Sequence, residues 1–258
     1  MEPQSFANHY DLAIVSLYVF WVFFAGLIYY LQREAQREGY PVEEATQPGK
    51  FRLKSLMFYP PAKTFLLPDG STKIAPDGIP DARPVPGKAI SRVPGAPLEP
   101  NNAVPLNDCI GPGSWAERAD KPDLTTQMTP RIVPMRVATS YTTASRDPDP
   151  RGMPVVGCDG AIGGTVVDIW VDRSEALARY LEVETAKGKR RILLPMTFSV
   201  VKTWPGRVVV DAITGAQFEN VPGTAKADVV TLLEEDKICA YYGSGTLYAT
   251  PDRAEPLI

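Results

Sequence analysis

From Leu12 to Leu31 the chain runs twenty residues without a charge. At about 1.5 Å rise per residue this makes a helix of about 30 Å, the thickness of a bilayer's hydrocarbon core. Apolar side chains lie all round such a helix, which excludes an amphipathic surface helix. A cleaved signal peptide would need a basic start, a shorter apolar run and a small-x-small cleavage site. Here no Lys or Arg precedes Arg33, and bulky Tyr29, Tyr30 and Leu31 fill the end of the run. The segment therefore reads as an uncleaved transmembrane anchor over 12–32, with 1–11 on the non-cytoplasmic side. Only Glu2 and Asp11 are charged before it, whereas Arg33 and Arg37 follow it, so the C-terminal side is expected in the cytoplasm. Tyr10, Tyr29 and Tyr30 suit the interfacial aromatic belts. Trp21, Phe23 and Phe24, mid-span, suit lipid or neighbouring transmembrane helices. One span cannot enclose a transport path, so work inside the membrane would belong to partner subunits.

Charge and residue inventory remove whole classes of chemistry. Lys and Arg number 27 against 30 Asp and Glu, a net charge of −3, so no basic field exists to attract nucleic acid. Cys109, Cys158 and Cys239 are far apart and form neither a C-x-x-C pair nor a disulfide framework; they read as small buried thiols in a reducing compartment. His9 is the only histidine, which excludes most imidazole-based catalysis and metal ligation.

The chain has 26 prolines, about twice the usual share, and more than half fall between Pro41 and Pro112. Proline denies backbone donors, so this region is expected to build little sheet of its own. Phrases such as Leu67-Pro68-Asp69-Gly70 and Ala75-Pro76-Asp77-Gly78 read as turns between extended pieces. Scattered Phe58, Phe65, Leu66, Leu67 and Ile74 favour an ordered, extended segment over 33–115 that lies along another surface. From about Ile132 the pattern becomes strand-like: Val155-Val156, Thr165 to Val171, Arg179 to Thr185 with Leu181 and Val183 alternating against Glu182 and Glu184, Arg191 to Leu194, Phe198 to Thr203 and Val208 to Val210. Five or six short strands at this spacing predict a small antiparallel barrel or sandwich over 116–258. Thr231-Leu232-Leu233-Glu234 is a capping box, and the helix it starts is expected to run to about Tyr242, where Gly243-Ser244-Gly245 loosens it. The fold class is thus a single transmembrane α-helix plus a mainly-β cytoplasmic domain with a C-terminal helix.

The sequence contains no P-loop, dinucleotide fingerprint or nucleophile elbow, and the glycines from Gly160 to Gly164 read as a hairpin turn. What remains is carboxylate. Asp168, Asp172 and Glu175 fall at the end of one strand near Arg173 and Arg179, and Glu234, Glu235 and Asp236 open the last helix. They form either a solvated polar face or a proton relay in which neighbouring acids share charge.

The stretches Gly26 to Leu31, Arg37-Glu38-Gly39-Tyr40-Pro41, Pro61-Ala62-Lys63-Thr64-Phe65, Gly111-Pro112-Gly113-Ser114-Trp115, Val167 to Asp172 and Leu233-Glu234-Glu235-Asp236-Lys237 resemble, in order, the H subunit of the purple-bacterial photosynthetic reaction centre. The resemblance implies a non-catalytic, single-pass subunit of the bacterial inner (intracytoplasmic) membrane whose cytoplasmic domain is a PRC-type β-barrel. It implies a cap on the quinone side of the L and M subunits that stabilises the complex, shields the primary quinone from water and conducts protons to the secondary quinone. Those partners would hold bacteriochlorophyll, bacteriopheophytin, quinones and non-haem iron, with no cofactor or metal on this chain. Further implied neighbours are a cytochrome subunit, the light-harvesting antenna and membrane lipid. By the same resemblance Asp172 and Glu175 match the proton-conducting acidic pair, with Arg179 beside them, Glu235 as a further member and Asp123 near the entrance. Where some members carry a surface histidine pair, this chain has Gln127 and Thr129, neither of which titrates, so protons would enter by other groups. Tyr30, Arg33 and Arg37 sit where anionic lipid could dock. Two other readings remain: a membrane-tethered PRC-barrel adaptor for a soluble partner, and an anchored hydrolase using Asp172 and Glu175.

Overall fold

The computed structural model describes residues 12–37, 42–43, 51–52, 60–77, 86–92, 96–102 and 104–253. His9, Tyr10 and Phe58, singled out above, lie outside them. The chain divides into two compact units, 1–84 with 93–95, and 85–92 with 96–258.

The first unit opens with α1 (Leu12–Ala35), with a mean hydropathy of 2.2 over its most apolar window. None of its residues is buried, as expected of a helix whose solvent is lipid. The Ser16 hydroxyl donates to the Leu12 carbonyl at 2.7 Å, satisfying within the helix the polar group that lipid could not. Phe20, Trp21 and Phe24 form an aromatic cluster with centroids 5.6–5.9 Å apart. Two antiparallel ribbons follow, β1 (Val42–Glu43) with β2 (Phe51–Arg52), and β3 (Lys63–Leu66) with β4 (Thr72–Ala75).

The second unit starts with a third ribbon, β5 (Gly87–Ala89) with β6 (Leu98–Pro100). The proline-rich region thus forms two-stranded ribbons that join no larger sheet among the described residues. A seven-stranded sheet then runs in the order β11 (Arg191–Pro195), β10 (Leu177–Thr185), β9 (Ile162–Asp172), β8 (Pro154–Val156), β13 (Arg207–Val209) and β12 (Val200–Lys202), with β7 (Ile132–Pro134) also on β9. β13 pairs with β8 in parallel, so the sheet is not wholly antiparallel as expected. The two are joined through β9 to β12 and not by a hairpin, and such a long connection lets paired strands run parallel. Along 168–172 Ile169 and Val171 face one side of β9 and Asp168, Trp170 and Asp172 the other, and all are buried, so both sides of the strand are covered.

Two glycine-rich stretches differ from their sequence reading. Gly163 and Gly164 lie inside β9 and not in the hairpin turn at Asp159-Gly160; glycine is needed at 163 because a Cβ there would come within 2.2 Å of the Phe218 ring. Likewise α2 (Leu232–Tyr248) does not loosen at Gly243-Ser244-Gly245 but continues to Tyr248. A Cβ at Gly243 would meet the Pro112 carbonyl at 2.5 Å, and one at Gly245 the Ala212 carbonyl at 2.3 Å. These glycines admit neighbouring backbone; they do not end the helix. The capping box forms as expected: Thr231 Oγ1 accepts from the Glu234 amide at 3.2 Å, and Glu234 accepts from the Thr231 amide at 2.8 Å. α2 buries Ile238, Tyr241 and Tyr242 against the core, where Tyr242 stacks on Phe198 at 5.8 Å. All three cysteines are free and half-buried rather than buried.

Candidate functional site

The last residue of β9, Asp172, has no exposed surface. A buried carboxylate persists only if its lone pairs are taken up, and here they are. The Ser174 and Glu175 amides donate to Asp172 Oδ1 at 2.9 and 3.1 Å, folding the chain into the turn to β10. Arg179 on β10 donates to Oδ2 at 3.3 Å. Arg131, immediately before β7, donates to Oδ1 at 3.0 Å because the register places Ile132 opposite Asp172. The same guanidinium reaches Asp123 at 3.2 Å and closes a hydrogen bond to Glu175. Glu175 also pairs with Arg179 at 3.0 Å. Four of the sequence-derived site residues, Asp123, Asp172, Glu175 and Arg179, therefore form one network whose centre is Arg131. The sequence reading missed Arg131 because no local spacing links it to Asp172; only the β7–β9 register does.

Glu235, the remaining member, sits in the first turn of α2. It accepts a hydrogen bond from the Tyr180 hydroxyl at 2.7 Å, and Arg179 and Asp123 are near enough to act on its charge. Tyr180 was also missed: it follows Arg179 on β10 but is buried against the core beside Cys239.

The two ends of this constellation hold protons differently. Burial pushes the Asp172 carboxyl up, but the hydrogen bonds from Arg131 and the two amides outweigh it and hold the group below the ordinary carboxylate range. At Glu235 burial prevails over the Tyr180 hydrogen bond and the attraction of Arg179, and the pKa is raised. Burial with neighbouring Cys239 and Glu235 lifts the Tyr180 phenol far above its usual value. Arginine does not release its proton in proteins, so Arg131 and Arg179 position and bias the acids rather than pass protons. Gln127 and Thr129 lie in a turn braced by a 2.8 Å hydrogen bond between the Thr125 and Thr129 hydroxyls. Asp168 belongs to a separate group: with Glu182 and Asp228 it binds Arg136, beside an open cleft of about 630 Å³.

Residues 4–137 match the family of the photosynthetic reaction centre, H-chain N-terminal region, and residues 143–217 match the PRC-barrel domain. The chain belongs to the reaction centre H-chain family. It is a membrane-anchored subunit that associates with other reaction centre subunits. Within this H chain the β9–β10 turn that carries Asp172 and Glu175 falls inside the PRC-barrel match, whereas Asp123 and Arg131 fall inside the N-terminal match. The network thus stitches the two matched regions together.

The lipid-facing candidates separate. Tyr30 is exposed and Arg33 is half-buried. Arg37 is 8% exposed, and its guanidinium is taken up by Glu34 and by the carbonyls of Pro61 and Ala75. Four of its five N–H donors are thereby engaged as a structural clamp. Among the described residues no group of three or more His, Cys, Asp or Glu is placed to hold a metal ion.

Proposed function

We propose that this H chain caps the cytoplasmic quinone side of the L and M subunits, shields the primary quinone from water and delivers protons to the secondary quinone. Much of the proline-rich region lies against those subunits, which hold the bacteriochlorophyll, bacteriopheophytin, quinones and non-haem iron. A cytochrome subunit and light-harvesting antenna are further neighbours. One observation carries the proton-delivery reading: Asp123, Asp172 and Glu175 converge on Arg131, and Glu235, with its raised pKa, lies next to them. Reducing a quinone to quinol takes up two protons, and carboxylates linked through water pass them through a dry interior. Acids whose environments push their pKa values apart suit the task, since one holds charge where another holds a proton. Asp123, half-exposed, is the entrance in place of the absent histidine pair, and Glu175, exposed on this chain alone, is the acceptor that the partner subunits would cover.

In the assembled complex, Glu175→Gln should slow proton-coupled electron transfer to the secondary quinone toward the roughly 100-fold lost with a positioned proton-transfer group. Primary charge separation should be unchanged. Flash kinetics showing wild-type proton uptake across the pH range would overturn the role of Glu175. A purified complex without near-infrared bacteriochlorophyll absorbance would overturn the partners.

A further inference from the structure

The residues just past α1 fix a small hairpin to the end of that helix. Arg37 donates to the Pro61 carbonyl at 2.6 Å and the Ala75 carbonyl at 3.0 Å, and Lys63 reaches the Glu34 carboxylate at 3.1 Å. Pro61, Lys63 and Ala75 form the open end of the β3–β4 ribbon, so that end is held at the level of the last turn of α1. In a chain that spans a bilayer through α1, this is the level of the headgroups.

The pairing Lys63↔Ala75, Thr64↔Ile74, Phe65↔Lys73 and Leu66↔Thr72 sorts the side chains into two faces. Lys63, Phe65, Lys73 and Ala75 share one face, from which Lys63 reaches α1. The opposite face carries Thr64, Leu66, Thr72 and Ile74 and no charge. On it Leu66 is 76% exposed and Ile74 54%. A lone two-stranded hairpin is marginal in water, and leaving its uncharged face wet weakens it further. Hydroxyls mixed with aliphatic groups, flanked by an aromatic ring and lysine, suit the boundary between headgroups and acyl chains. The Lys73 stem can lie along apolar surface while its ammonium stays at the headgroups.

We propose that the β3–β4 hairpin is a second membrane contact of this chain, its uncharged face resting in the interfacial layer around α1 and Lys73 meeting anionic phospholipid. A chain held by one helix alone is free to rotate about the helix axis. A second contact beside that axis fixes the azimuth of the helix and its hairpin.

The test is photocrosslinking of the full-length chain with benzoylphenylalanine at Leu66 or at Ile74, the cysteines and core left intact. The same residue at Trp204, 91% exposed at the β12–β13 tip, serves as the water-facing control. In native membranes and in phosphatidylcholine–phosphatidylglycerol vesicles, positions 66 and 74 should give phospholipid adducts and position 204 none. Adducts to another reaction centre polypeptide would assign the face to a partner subunit and overturn the proposal, as would no adduct above the Trp204 control. Lys73→Glu should lower the lipid adduct several-fold in the phosphatidylglycerol vesicles and leave it unchanged in phosphatidylcholine alone. An equal yield in both would overturn the anionic contact.

Discussion

Arg131 and Arg136 flank strand β7, and each gathers three carboxylates: Asp123, Asp172 and Glu175 for the first, Asp168, Glu182 and Asp228 for the second. The inventories are the same and the surroundings are not. Around Arg131, one acid is fully buried and fixed by amides, another stands half-exposed, and a neighbouring acid on α2 has its pKa pushed up. Around Arg136, Glu182 is held by the Trp170 indole N–H at 2.8 Å, and Arg136 also donates to the Ala227 carbonyl at 2.6 Å. That second group latches the segment before α2 onto the sheet. Both groups mix buried and exposed acids, so charge and burial alone would give them the same role; the company of Tyr180 and Glu235 is what favours the first in the proposed proton path.

The largest expected effect concerns Asp172, the one acid of the six with no exposed surface. Arg131→Ala takes one guanidinium from fully buried Asp172, which keeps Arg179 and two amides, and should lower stability by about 2–3 kcal/mol. Arg136→Ala should cost about 1–3 kcal/mol, since Trp170 and Arg191 still hold Glu182. Thermal unfolding of the detergent-solubilised chain measures both, and equal losses would erase the distinction.

Kinetics sharpens it next. Glu182→Gln in the assembled complex should leave proton uptake at the secondary quinone unchanged, in contrast to Glu175→Gln. A comparable slowing would bring the Arg136 cleft into the proton path.

Tyr180→Phe removes a single hydrogen bond, about 1 kcal/mol. Without that donor the Glu235 carboxylate is less favoured, so its ionisation should move to higher pH. Infrared difference spectra should show a carboxylic C=O band that shifts in Tyr180→Phe and vanishes in Glu235→Gln. A band unmoved by Tyr180→Phe would remove the phenol from the site.

The smallest effect is the pH dependence of stability, where the two acids have opposite signs. The lowered pKa of Asp172 stabilises the fold above the unfolded value near about 3.9, and this is lost as pH falls below it through the folded pKa. The raised pKa of Glu235 means the folded chain binds more protons than the unfolded one above about 4.3, so its contribution falls as pH rises through the folded pKa. Glu235→Gln should therefore flatten the decline in unfolding midpoint toward neutral pH while leaving the acid limb in place.

Several parts of this picture were readable without coordinates. Strand β10 was expected from the Leu181 and Val183 alternation, yet Glu182, read as its outward partner, is 5% exposed because Arg136 and Trp170 meet it there. The start of α2 was legible, since a capping box is a local hydrogen-bond pattern. Its end was misread because glycine marks both a helix stop and a close backbone approach, and only the positions of Pro112 and Ala212 tell them apart. Asp172 and Glu175 are near neighbours in the chain, so their association was visible. Arg131 and Tyr180 join them through strand register and helix packing, for which residue spacing carries no signal.

The sequence by itself determined the membrane anchor, because a bilayer demands an unbroken apolar run and tolerates few substitutes. It also determined the strand-rich C-terminal part and, through its resemblance, the family. Only the tertiary structure decided which acid is pulled down and which is pushed up, that Arg37 clamps a hairpin, and that Arg131 holds the site together. Those outcomes depend on burial and on partners distant in sequence, and both come into being only when the chain has folded.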